Sequence, residues 1–300
     1  MHVEAVNRLH LPEIETLVFA GGGNRCWWQA AMVSDWMKRG WHLPPTLVGT
    51  SAGAAVAAAA LTSDGLQRAF ESCRQLFSDT PRLFEWRGRT PRQWRFAHHR
   101  VYPAWLASFV NDSTFDAVRE APQQLIVALT RPARALGLKG SMVAGTCAYL
   151  VDKFLWNRLH PRLPRMLGLR QEFVGLQQCA TLAEAQTLLV AAAAAPPFLS
   201  AQHVAGGVAI DGGYLDSVPV LPEASAARAT TLVLLTRHYP KLPTLFRYRG
   251  RHYLQPSQRV PVSTWNCTAA TDIQAALALG SQDATKVMQS ERVTLEPSRH

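Results

Sequence analysis

Apolar and polar positions follow two different periods along this chain. Thr16 to Ala20 (TLVFA) is a short β-type run that stops at three successive glycines. From Asn24 the apolar positions Trp28, Ala31, Met32 and Trp36 recur at helical spacing. The pattern predicts a strand, a glycine loop and a helix. Leu43-Pro44-Pro45 breaks the chain, and Thr46 to Val48 reads as a second strand. After Gly49-Thr50-Ser51-Ala52-Gly53 an alanine-rich helix is predicted as far as Leu61. Further strands are predicted at Gln124 to Leu129, Glu172 to Leu176, Val204 to Ile210 and Thr231 to Thr236. Helices are predicted near Ser141 to Leu159, Thr181 to Ala194 and Thr271 to Val287. Strands alternating with helices argue for an α/β fold with a mostly parallel sheet. With no internal repeat and no flexible linker, residues 16–300 read as one domain behind a leader segment of residues 1–15. The part from 237 to 300 is less assignable, and Pro81 to Phe109, rich in arginine and aromatic residues, reads as an insertion or cap.

Composition narrows the class. Hydrophobic residues make up 48% of the 300, enough to bury a core without metals or disulfides, which excludes a disordered chain. The charge sum is 31 − 21 = +10, yet only 17% of residues are charged against an ordinary quarter, so the excess is a shortage of acids. Such a chain is attracted to polyanions, either nucleic acid or an anionic membrane. Five cysteines with no close pair suggest neither a zinc knuckle nor a disulfide framework, and a reducing compartment is the natural reading. Glu4, Glu13 and Glu15 precede an apolar run too short for a secretory signal. The stretches Leu47 to Leu61 and Leu188 to Leu199 are interrupted and shorter than a membrane span of about 20 residues. The expected location is the cytoplasm, with peripheral attachment at the inner face of the membrane.

Candidate chemistry begins in the second strand–turn–helix unit. Gly49-Thr50-Ser51-Ala52-Gly53 is a G-x-S-x-G in which glycines on both sides let the chain turn tightly. The serine Oγ then stands exposed, the next backbone N–H points at the reaction centre, and the positive end of the helix dipole lies under a developing oxyanion. Ser51 is the candidate nucleophile, with Gly49, Ala52 and Gly53 forming its turn; a plain helix-capping serine is the alternative. In Gly21-Gly22-Gly23-Asn24-Arg25, successive glycines leave N–H groups able to converge on an anion, which suits an oxyanion hole. A dinucleotide pyrophosphate would also suit, but G-x-G-x-x-G fails at Cys26 and no acid closes a second strand about 20 residues on. Asp211 closes an apolar run and is followed by Gly212 and Gly213, as an Asx-turn residue or as a functional carboxylate. A nucleophilic serine needs a base, by default histidine. His238 and His252 follow the serine, but neither sits in a recognisable acid–loop–histidine setting. A carboxylate in a partly apolar site can instead take the serine proton directly. No residue cluster has metal-ligand spacing, so neither a metal nor a cofactor is expected.

In that order and spacing, Gly21-Gly22-Gly23-x-Arg25, Gly49-x-Ser51-x-Gly53 and Asp211-Gly212-Gly213 resemble the three signature motifs of the patatin-like phospholipase family. Ala191 to Phe198 (AAAAAPPF) resembles the family's small-residue and proline stretch, and the likeness runs from about Thr16 to about Thr236. It implies a three-layer α/β/α sandwich. It also implies a lipid acyl hydrolase of the phospholipase A or lysophospholipase type, working through a Ser-Asp dyad and an acyl-serine. Ser51 would be the nucleophile and Asp211 the general base. The N–H groups of Gly22 and Gly23, with Gly21, would form the oxyanion hole, and Arg25 would help bind the lipid phosphate. Cys26, Ala20 and Ser217 depart from the family pattern.

Acyl transfer and a Ser-His-Asp esterase are the alternatives among enzymes. A non-enzymatic nucleic-acid binder is the alternative of another class, although no RNP, KH, zinc-finger or helix-turn-helix pattern occurs. The arginines concentrate in Pro81 to Phe109, mixed with Trp86, Trp94 and Trp105, and between Glu223 and Asp272, where no acid occurs. Tryptophan mixed with arginine is the composition of an interfacial surface. The expected partners are therefore an acyl-ester lipid substrate and an anionic membrane surface. Trp27 and Trp28 are expected to be core or acyl-pocket lining.

Overall fold

The runs TLVF, TLVG and TLVL are apolar without alternation, as strands buried on both faces of a parallel sheet must be. The computed structural model, which describes residues 3–86, 94–155, 158–222 and 224–292, places them side by side at the centre of a ten-stranded sheet. The strands are β1 (Glu4–Ala5), β2 (Thr16–Phe19), β3 (Thr46–Gly49), β4 (Phe84–Trp86), β5 (Trp94–Phe96), β6 (Gln124–Arg131), β7 (Arg170–Gly175), β8 (Gln202–Val204), β9 (Gly207–Asp211), β10 (Thr231–Leu234), β11 (Leu245–Tyr248) and β12 (Arg251–Leu254). The sheet order is β1-β11-β12-β10-β2-β3-β6-β9-β8, with β7 also on β6, while β4 and β5 form a separate hairpin. The run β12-β10-β2-β3-β6 is parallel and the outer pairings are antiparallel.

The helices are α1 (Cys26–Lys38), α2 (Ala52–Ala60), α3 (Gly65–Ser78), α4 (His98–Ala107), α5 (Phe115–Arg119), α6 (Gly137–Leu150), α7 (Leu163–Met166), α8 (Leu182–Ala192), α9 (Ser225–Arg228) and α10 (Gln274–Arg292). Alternate strand residues serve different layers. Leu17, Phe19, Leu47 and Leu234 pack with Trp28 and Met32 of α1, Val56 of α2, Trp105 of α4 and Leu188 of α8. Val18, Val48 and Val233 pack on the opposite face with Leu159, Val218 and Tyr239. The architecture is a three-layer α/β/α sandwich around a mostly parallel sheet.

Several elements differ from the sequence pattern. Val204 to Ile210 is a hairpin: Ala205 and Gly206 both have positive φ (49° and 77°) and turn β8 into β9. The helix expected at Ser141 to Leu159 begins at Gly137 and gives way at Val151 to a single π turn. The hairpin β11–β12 and helices α3 and α4 were not expected. Within residues 1–15, β1 pairs with β11, and Leu9, Leu11 and Ile14 are buried in the core. Residues 87–93 of the arginine-rich segment lie outside the described residues. Trp105 of that segment is buried and donates its indole N–H to the Ala69 carbonyl at 2.8 Å. Trp28 is core, its Nε1–H bonded to Asp283 of α10.

Candidate active site

The end of β3 is where this sheet forces a sharp event. Gly49 is the last residue paired with β6, opposite Val127, and Ser51 then takes φ 52°, ψ −140° before α2 begins. A non-glycine residue at positive φ stores strain of order 1–3 kcal/mol, and such strain concentrates where a side chain must be held in one place. The turn fits only because α2 starts against β2: a methyl group on Gly53 would lie 2.6 Å from the Phe19 carbonyl oxygen.

The edge of β6 that β3 vacates is filled by another strand. β7 covers the far edge of β6 from Ile126 to Arg131, so β9 joins on the β3 side, pairing Leu129 with Asp211 two residues beyond Val127. That placement brings residues 160 positions apart together. Ser51 Oγ donates to Asp211 Oδ2 at 2.8 Å, and Gly213 N–H donates to Asp211 Oδ1 at 2.7 Å. Both side chains are nearly inaccessible, Ser51 at 6% and Asp211 at 5% exposure. Burial pushes the Asp211 carboxyl up to about 6, and the Gly213 and Ser51 hydrogen bonds hold it from going higher.

Gly212 holds the aspartate turn against β3. A methyl group there would collide with Thr50 Oγ1, itself hydrogen-bonded to the Ala128 carbonyl, and lie 2.5 Å from that backbone oxygen. Gly212→Ala is therefore expected to cost about 1–3 kcal/mol of stability and to lower activity at temperatures where the variant is still folded. Thermal unfolding followed by circular dichroism, with an esterase assay below the transition, measures both; unchanged melting and rate would contradict this packing.

The glycine loop lies directly over this pair, since a methyl group on Gly21 would sit 3.1 Å from Ser51 Cβ. Gly21 N–H is donated to the Ser217 carbonyl at 2.8 Å, and Thr236 Oγ1 donates to the Gly21 carbonyl at 2.7 Å. Among the described residues, Gly22 and Gly23 N–H have no acceptor. Asn24 anchors the other end, its amide donating to the Ser263 and Asn266 carbonyls at 2.9 and 2.7 Å. Arg25 turns its Nε–H back to the Gly22 carbonyl at 3.3 Å, and Cys26 is buried, its thiol pushed up to about 12 by burial.

Two spaces meet at Ser51. One is a narrow apolar pocket of about 70 Å³ walled by Trp27, Val56, Phe77, Val101, Trp105 and Phe198. The other is an open cleft of about 850 Å³ that holds Asp211 and the three arginines Arg25, Arg237 and Arg259. The arrangement offers a hydrogen-bonded serine at the junction of an oily slot and a basic cleft.

The sequence profile described as patatin-like phospholipase matches residues 17–223, a span that contains the glycine loop, Ser51 and Asp211. The chain belongs to the patatin-like phospholipase family. The family carries lipid acyl-ester hydrolysis as its class of activity. Among solved structures the chain is similar to VipD from Legionella pneumophila, at 10% identity and a TM-score of 0.40, over 93% of this chain and 67% of that one. No curated protein matches the chain.

In this patatin-like phospholipase no histidine among the described residues is hydrogen-bonded to Ser51 Oγ, whose partner is Asp211. His238 borders the cleft with Nδ1 at 2.8 Å from the Pro256 carbonyl, and His252 lies on β12 beside Arg247. His98 lines the apolar pocket, and burial lowers it to about 4, so it is neutral there. Among the described residues Asp211 is the side chain hydrogen-bonded to Ser51 Oγ. Sequence reasoning missed what holds the pair: Ser51 N–H donates to the Ala192 carbonyl and Asp211 N–H to the Ala194 carbonyl, at 3.0 and 2.9 Å. The alanine-rich stretch thus clamps both backbones, and its small residues are the signal that could have revealed a close approach. Arg237 and Arg259 carried no local signal beyond charge. Among the described residues no cluster of His, Cys, Asp and Glu is placed to hold a metal, and no helix is long and apolar enough to cross a membrane.

Proposed function

We propose that the protein hydrolyses fatty-acyl esters of membrane lipids through a Ser51–Asp211 dyad. The observation that carries this reading is the 2.8 Å hydrogen bond from a serine at a strained strand–helix turn to a buried carboxylate. Asp211 accepts the hydroxyl proton as Ser51 Oγ attacks the acyl carbonyl, and the new charge on the carbonyl oxygen is taken by Gly22 and Gly23 N–H. The ester C–O bond then breaks, the alcohol leaves with the proton held by Asp211, and an acyl-serine remains. Water gives a proton to the same carboxylate as it attacks the acyl carbonyl, the acyl–Oγ bond breaks, and Ser51 Oγ takes that proton back as the fatty acid leaves. The acyl chain occupies the apolar pocket and the polar part of the lipid the basic cleft, where Arg25, Arg237 and Arg259 face a headgroup. Acyl transfer uses the same first step with another alcohol in place of water.

Incubation with a mixed lipid extract, with mass spectrometry of released fatty acids and a Ser51→Ala control, tests the reading. Serine-independent release, or none from any lipid, overturns it. The pocket makes a second expectation. Val56→Phe adds bulk one helical turn beyond Ala52 and should slow hydrolysis of long-chain esters at least about tenfold while sparing a butyryl ester. Equal losses for both chain lengths would place the acyl chain elsewhere.

A further inference from the structure

Helix α6 is amphipathic in the wrong sense for a helix facing water. Its inward face is small: Ser141, Gly145 and Ala148 are the buried positions. Its outward face carries the bulk, with Val143 and Leu150 exposed two turns apart and Leu136, at the helix cap, exposed in line with them. Eight large apolar side chains are exposed among the described residues, and six lie between 136 and 167, the others of that group being Leu155, Met166 and Leu167. Val143, Leu155 and Met166 are 67, 75 and 79% exposed. Scattered single hydrophobics need no explanation, but a concentration in one segment marks a contact surface.

Charge selects the occupant. Between Pro122 and Gln171 the chain holds one acidic residue, Asp152, which is fully buried. Its oxygens are taken by Arg158 at 2.8 Å and by the Arg162 and Leu163 N–H groups at 2.6 Å each. Arg134, Lys139, Arg162, Arg165 and Arg170 of the same segment are exposed as well. The described residues of this segment therefore present exposed hydrocarbon together with positive charge, and its one acid is buried. It is continuous with the cleft, because Thr146, Tyr149 and Leu150 at the C-terminal end of α6 line it together with Ser51 and Asp211.

We propose that α6, the π turn and α7 form the face by which the protein docks on an anionic bilayer, with Val143, Leu155 and Met166 entering the interface and the arginines and Lys139 meeting lipid headgroups. This rests on the reading that the substrate is a membrane lipid, since docking here sets the cleft mouth against the leaflet. It shifts the membrane contact away from the tryptophans of Pro81 to Phe109, of which Trp105 is buried in the core.

The test is sedimentation of the full chain carrying Ser51→Ala, so that lipid is not consumed, with phosphatidylcholine vesicles and with vesicles containing phosphatidylglycerol. The parent should bind the anionic vesicles preferentially. Adding Val143→Ser, Leu155→Ser and Met166→Ser should lower its partition coefficient at least about tenfold with unchanged circular dichroism. Arg162→Gln with Arg165→Gln should lose about fivefold per charge on anionic vesicles and little on neutral ones. With Ser51 restored, the triple serine variant should hydrolyse a soluble short-chain ester at the parent rate. Triple-variant binding equal to the parent's overturns the proposal, as does a parent dimer that the triple variant dissolves without vesicle binding, which would make this face a contact between copies. Vesicle binding as expected with no ester hydrolysis by either protein would instead overturn the functional reading and leave the docking face standing.

Discussion

Ser51→Ala is expected to lower hydrolysis of any acyl ester by about 10⁴-fold or more, because it removes the atom that forms the covalent intermediate and leaves only binding and the loop N–H groups. The side chain is small and makes one hydrogen bond of consequence, to Asp211, so the variant should fold. Its melting temperature measured beside its rate separates lost chemistry from lost structure. A competing histidine mechanism makes a different forecast: His238→Ala or His252→Ala would then be as damaging as Ser51→Ala. The structure holds His238 on the Pro256 carbonyl and His252 beside Arg247, so each should retain activity within about tenfold. A loss of 10³-fold or more in either would replace the dyad by a triad.

Asp211→Asn should be almost as inactive as Ser51→Ala and yet more stable than the parent. The amide oxygen can still accept from Gly213 N–H while its NH2 donates to Ser51 Oγ, but the amide cannot take the serine proton. The carboxyl is raised from its ordinary value to about 6, chiefly by burial. Because the folded state then binds the proton more tightly than the unfolded chain, stability falls as pH rises from about 4 to about 6, and the full penalty persists above that. Asparagine carries no such charge, so the variant should gain roughly 2–3 kcal/mol at neutral pH and nothing at pH 3.5. Denaturant unfolding at the two pH values reads this directly. The same sign governs catalysis: a base must be ionised to act, so kcat/KM of the parent should rise with pH through about 6 and level off. Equal stability of parent and variant at neutral pH would mean that the carboxylate is not strained by burial. A rate independent of pH between 5 and 8 would mean that Asp211 is not the base.

Much of the central sheet was legible because a parallel strand buried on both faces has a recognisable apolar run, and β2, β3, β6 and β10 lie within a few residues of the predicted spans. The missed elements failed for particular reasons. In α3 the positions Leu66, Ala69, Phe70, Cys73 and Phe77 follow the helical period closely and could have been read. The β8–β9 hairpin was hidden because its turn, Ala205-Gly206, interrupts the apolar run by only two residues, and a left-handed alanine has no sequence signature. The residues 1–15 bury Leu9, Leu11 and Ile14, three apolar positions too widely spaced to announce an element.

The glycine loop, the serine turn and the aspartate turn are each local arrangements, set by residues that only permit certain backbone angles, and the sequence alone determined where they occur. Which of them meet was decided by strand order. β9 reaches Ser51 because β3 ends four residues short of β6 and leaves an open edge, which the antiparallel β9 from the chain's far half completes. Tertiary contacts also decided which loop N–H groups have acceptors: Gly21 gives its hydrogen to the Ser217 carbonyl, leaving those of Gly22 and Gly23. The membrane question divides the same way. The sum of charges is a property of the sequence, but burial took Trp105 and Asp152 out of reach of any bilayer and turned the bulky face of α6 outward, because packing, not composition, chooses which side chains meet the solvent.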